Sequence, residues 1–92
     1  MKQKPLPSLN ALKTLEAVRE AGSISLAAER LSVSHSAVSQ QLKQLQDWTG
    51  RALVVRKGRS VMLTSAGESL ASVVNASFDA IRHELDLSLI HI

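Results

Sequence analysis

The 92-residue sequence has no cysteine, one tryptophan and one phenylalanine. Without cysteine there are no disulfides, no thiolate metal sites and no cysteine nucleophiles. With so few aromatic rings, any core must be aliphatic. No run of about 18 apolar residues is present, and the N-terminus lacks the apolar centre of a secretory signal. The expected location is therefore the cytoplasm, with no membrane partner. Only two prolines occur, Pro5 and Pro7, and they mark an extended start. What remains is enough for one small domain: 45% hydrophobic residues build a modest core, and a core of that size gains from partner contacts.

Acidic charge is nearly absent from the middle third. Residues 30–59 carry Arg30, Lys43, Arg51, Arg56, Lys57 and Arg59 against Asp47 alone, whereas residues 60–92 carry Arg82 against Glu68, Asp79, Glu84 and Asp86. A basic middle points to a polyanion at that place, and the acidic end needs a different role.

Local signals divide the chain into elements. Ser8 is placed to cap a helix with Leu9, Leu12, Leu15 and Val18 on one face, ending at Gly22. Ser25 is expected to cap a short helix from Leu26 to Leu31, in which Ala27 and Ala28 permit close packing. After Ser32-Val33-Ser34, with Ser34 as cap, a third helix runs to about Trp48 and stops near Gly50. Its apolar back is Val38, Leu42, Leu45 and Trp48; its front is His35, Ser36, Ser39, Gln40 and Lys43. Two short helices joined by a tight turn, the second divided in this way, match a helix-turn-helix. The period then changes: Leu53–Val55 and Val61–Leu63 read as short strands around a Lys57–Ser60 turn, a basic hairpin or wing. Thr64 caps a last helix with a stripe of Leu70, Val74, Phe78, Ile81 and Leu85 at spacings of four, four, three and four. Such a helix is too long for so small a domain to cover, so its stripe is expected to form a homodimer seam, with packing on the first helix as the alternative.

The fold class expected is mainly α: a winged helix-turn-helix of three helices and a β-hairpin, followed by a long dimerising linker helix. Residues 1–63 form the first unit, residues 64–86 the linker, and residues 87–92 a tail that breaks the helical pattern and receives no function.

The front of the third helix is unusual for a solvated surface, which favours Glu, Lys, Gln and Arg over Ser and His. Short hydroxyls let a helix approach a groove closely, and a helix N-terminus offers free N–H groups to phosphate. His35 and Ser39 lie four apart, yet no neighbouring carboxylate orients the imidazole, so a catalytic pair is rejected and no enzyme is expected. His35, His83 and His91 fall on separate elements without ligand spacing, and neither metal nor cofactor is expected. Ser23 and Ser25 are weaker candidates for backbone phosphates, Ser25 being equally suited to a cap alone.

The segments "LNALKTLEAVREAGSISLAAERLSVSHSAVSQQLKQLQ" and "GRALVVRKGRSVMLTSAGE" resemble the N-terminal DNA-binding domain of LysR-type transcriptional regulators. The resemblance covers roughly Leu6 to Leu85. Its most specific parts are "AAERLSVSHSAVSQQLKQLQ" and "LTSAGE", and "LPSLNALKTLEAV" leans toward the glycine-cleavage-activator branch. It implies a recognition helix in the major groove, with Ser34, His35, Ser36, Ser39 and Gln40 facing double-stranded DNA and Lys43 one turn further on. It also implies a wing on the minor groove or backbone, with Arg56 after the first strand and Lys57 and Arg59 at the turn. A dimer on an interrupted palindrome follows from the linker helix. His35 stands where many members have Gln, Gln40 where many have Arg, and Val54 where an aromatic is usual, so the base code of relatives does not carry over. Full-length members add a C-terminal domain that binds a small effector, which these 92 residues do not include. The competing reading is a winged-helix interaction module that has lost DNA binding.

Overall fold

The computed structural model describes residues 5–90, with side chains described for residues 5–86. Its elements, in chain order, are α1 (Leu9–Ala21), α2 (Ile24–Leu31), α3 (His35–Thr49), β1 (Val54–Lys57), β2 (Ser60–Leu63) and α4 (Ser65–Ile90).

Each helix boundary has a local cause. Ser8 Oγ accepts from the Ala11 N–H at 3.2 Å, and Gly22 closes α1 in the left-handed conformation. Ser34 Oγ accepts from the Ala37 N–H at 3.0 Å, as expected of the third helix. The second helix starts earlier than its sequence suggests. Ser23, not Ser25, is its cap, with Ser23 Oγ accepting from the Leu26 N–H at 3.1 Å. The reason is packing: Ile24 is buried, so the helix must begin early enough to turn that side chain inward. Ser25 lies exposed in the first turn.

Leu15, Val18, Val38, Leu45 and Leu53 are the largest fully buried side chains, so the core is aliphatic throughout. α1 lies at the centre and packs against α2, α3 and α4. The two strands form an antiparallel hairpin with Val54 opposite Leu63 and Lys57 opposite Ser60. β1 starts one residue later than expected and runs two residues further, and β2 starts one residue earlier; Leu53 is drawn into the core, so pairing begins beyond it. Arg56 and Lys57 therefore lie on β1, and Gly58 and Arg59 alone make the tip. Gly58 takes a φ of 59°, which a two-residue hairpin loop needs and glycine adopts without strain.

Thr64 is the junction of hairpin and last helix. Its Oγ1 accepts from the Gly67 N–H at 3.0 Å and donates to the Ala52 carbonyl at 2.8 Å, while its own N–H donates to the Leu53 carbonyl at 2.9 Å. Gly67 then sits so close to Leu53 that a Cβ there would lie 2.0 Å from the Leu53 carbonyl oxygen. An Arg19–Glu68 ion pair at 3.0 Å, half exposed, links the same first turn to α1.

The tail expectation is corrected for its described part: α4 continues to Ile90 without a break. His91 and Ile92 lie outside the described residues. A helix of 26 residues is about 39 Å long, and α1 borders it as far as Phe78, Ile81 and Arg82.

Candidate nucleic-acid interface

α3 is a divided helix. Val38, Leu42 and Leu45 are buried, and His35, Ser36, Gln40 and Lys43 are exposed, with Ser39 half-buried. Spacings of four and three residues keep each set on its own side, because a helix turns about 100° per residue. The structure thus brings the neutral polar front to one surface with no acidic group among its members.

An open groove joins this surface to two other elements. It is lined by Ser23 and Ser25 at the start of α2, His35 at the start of α3, and Arg56, Gly58 and Arg59 of the hairpin, with Ile24 and Val61 as its floor. The lining holds two guanidinium groups and no carboxylate, and two helix N-termini border it. Both features favour an anion. Of the expected site residues, Ser23, Ser25, His35, Arg56 and Arg59 meet here. Ser36, Gln40, Lys43 and Lys57 do not line the groove, though all four are exposed.

The hairpin is fastened to this surface at three points. The Val61 N–H donates to the Gly22 carbonyl at 2.9 Å, fixing β2 to the turn between α1 and α2. Gln46, on α3, accepts through Oε1 from the Leu53 N–H at 2.8 Å and the Val54 N–H at 3.2 Å, fixing the root of β1. Arg56 Nη2 donates to Ser39 Oγ at 3.1 Å, so a cation of the hairpin reaches the front of α3.

Sequence reasoning missed Gln46. Its partners lie seven and eight residues away and depend on how the chain turns at Gly50. Gly67 was within reach: a glycine three residues past a helix cap signals a close approach.

The stripe on α4 divides in two. Leu70 packs half-buried on the core and Val74 is buried in the single chain, which favours the intradomain alternative for these two residues of the expected seam. They are buried because α1 and the hairpin lie over the first half of the helix. Phe78 is half-buried, whereas Ile81 and Leu85 are 56% and 58% exposed. Val73, absent from the expected stripe, is 62% exposed beside Trp48 and Leu70.

Residues 9–68 match the family described as "Bacterial regulatory helix-turn-helix protein, lysR family". The chain belongs to the LysR family. Among curated LysR-type relatives, it is 47% identical over 79 residues to the HTH-type transcriptional regulator TrpI of Pseudomonas aeruginosa, covering 86% of this chain and 27% of that protein. It is 46% identical over 66 residues to the glycine cleavage system transcriptional activator of Escherichia coli, covering 72% of this chain and 22% of that protein. Identities of 47% and 46% do not separate the glycine-cleavage branch from the other. The chain thus spans about a quarter of the length of the curated relatives it matches. Its fold superposes on the CbnR DNA-binding domain from a DNA complex with a TM-score of 0.79 and 30% identity, covering 91% of this chain and 97% of that one. It also matches full-length LysG of Corynebacterium glutamicum with a TM-score of 0.82 and 32% identity, covering 94% of this chain and 29% of that one. The winged helix-turn-helix expected from the sequence is therefore the LysR one, and the relatives named are transcriptional regulators rather than enzymes.

Proposed function

We propose that this chain is the sequence-reading, DNA-binding part of a bacterial transcription regulator that acts in the cytoplasm, as a dimer, without catalytic activity of its own. The observation that carries the reading is the continuous surface formed by the uncharged front of α3, the α2 N-terminus and the basic hairpin. It offers hydrogen-bonding groups slim enough for a major groove, flanked by cations for phosphate. His35, Ser36, Ser39 and Gln40 face base edges, and Lys43 extends the same face. Ser34 caps the helix with its side chain and borders the backbone, which Ser23 and Ser25 also meet. Arg56, Lys57 and Arg59 supply phosphate or minor-groove contact. Residues 1–63 read DNA and residues 64–86 pair the copies. Ile81 and Leu85, with Phe78 at the inner edge, form the seam that Leu70 and Val74 do not. The acidic residues of α4 are then set away from the polyanion. Effector sensing belongs to a C-terminal domain of the kind relatives' greater length accommodates.

The testing experiment is selection of duplexes from a random pool, followed by a salt titration on the winners and on scrambled duplex. Two inverted half-sites at one fixed spacing are expected, because dimer geometry fixes half-site separation. Affinity should fall linearly with salt on a log–log scale, as phosphate neutralisation releases counterions. Recovery of no common sequence, with equal affinity for scrambled duplex at every salt concentration, would count decisively against sequence reading.

A further inference from the structure

A serine hydroxyl is an ambiguous reader of bases. It both donates and accepts, so a free one suits the acceptor edges of guanine, adenine N7 and thymine O4 as well as the amino groups of cytosine and adenine. Ser39 is not free. Its Oγ accepts from Arg56 Nη2 at 3.1 Å, across 17 residues of sequence and from a different element. A hydroxyl has one proton, and an oxygen already facing a guanidinium must turn that proton away from it. A helical serine or threonine usually spends such a proton on the carbonyl four residues back, as Thr14 Oγ1 does on Asn10 at 2.8 Å. Among the described residues, the bond from Arg56 is the one hydrogen bond recorded for the Ser39 hydroxyl. No acceptor for the proton is found among the described residues, so it is available on the side of α3 where His35 and Gln40 lie exposed.

Resting on the DNA-binding reading above, we infer that Arg56 is a positioning residue for base discrimination: by donating to Ser39 it fills one of the two acceptor sites of that hydroxyl and biases it toward donation. The base opposite Ser39 then presents an acceptor, which guanine, adenine N7 and thymine O4 supply, and cytosine, with only its amino group, is disfavoured there. The arrangement also places a cation beside the first turns of α3, which carry no charged side chain before Lys43. The remaining N–H groups of the guanidinium stay available for phosphate, so one side chain serves affinity and selectivity together.

The test repeats the pool selection with the chain, S39A, R56A and the double variant. Arg56 is exposed and outside the core, and circular dichroism confirms that each variant is folded. At one position of each half-site the chain should prefer a base with an acceptor edge, guanine, adenine or thymine, by about fivefold over cytosine, the low end of what one mismatched pair costs. S39A should flatten that position alone. R56A should flatten the same position and weaken binding on all duplexes; the double variant should be no flatter there than either single one. The inference is overturned if R56A lowers affinity by one common factor and leaves the S39A-sensitive position intact, or if that position prefers cytosine. A chain that selects no sequence at all overturns the DNA-binding reading itself, which separates the two failures.

Discussion

Gly67→Ala sets two physical arguments against each other with opposite signs. Helix propensity alone favours alanine by about 0.8–1.0 kcal/mol inside a helix. The structure predicts the reverse. A Cβ at Gly67 would sit 2.0 Å from the Leu53 carbonyl oxygen and 3.0 Å from the carbonyl carbon, and both are backbone atoms that no rotamer change moves aside. To reach even 3.0 Å from the oxygen, the first turn of α4 must retreat from Leu53 by about 1 Å. That displacement takes the 2.9 Å bond from the Thr64 N–H to Leu53 out of range, and with it the 2.8 Å bond from Thr64 Oγ1 to Ala52. Two hydrogen bonds at about 0.5–1.5 kcal/mol each, together with about 1–3 kcal/mol of overpacking strain, outweigh the propensity gain. The net loss is roughly 1–5 kcal/mol, which for a domain of this size lowers Tm by at least about 4 °C. Urea unfolding of the chain and of G67A at equal concentration measures it directly, since a dimer's stability depends on concentration. A G67A variant as stable as the parent, or more so, would falsify the close approach and the account of the junction built on it.

Two further pairs of substitutions probe other links. Gln46→Leu leaves the Leu53 and Val54 N–H groups without their acceptor and should cost about 2–4 kcal/mol, whereas Gln46→Glu keeps an acceptor oxygen and should retain most stability; equal losses in chemical unfolding would reject the pinning role. Ser23→Ala should destabilise by about 0.5–2 kcal/mol as a lost cap, with Ser25→Ala near neutral, and the opposite ranking in thermal unfolding would restore Ser25 as the cap.

How legible the molecule was follows the range of the interaction in question. Ser8, Ser34, Gly22 and Gly50 could be assigned from their neighbours, because a cap bonds within about four residues of itself. The two faces of α3 followed from spacing alone. Ser25 misled because it also stands before an apolar residue, and only the burial of Ile24 shows where α2 begins. The start of the first strand slipped by a residue because Leu53 has a core position to fill that no periodicity announces. In α4 the stripe itself was readable, but which of its members a neighbour covers was not.

The sequence by itself determined the kinds of element, their order, the polar front of α3 and the basic hairpin, all set by contacts between residues close along the chain. Tertiary structure alone decided that Arg56 reaches Ser39, that Gln46 holds the hairpin's root, that Gly67 touches Leu53, and that Val74 is buried while Ile81 is not. Those outcomes depend on the relative placement of whole elements, which the packing of Leu15, Val18, Val38, Leu45 and Leu53 fixes collectively. No single residue's neighbours encode that placement.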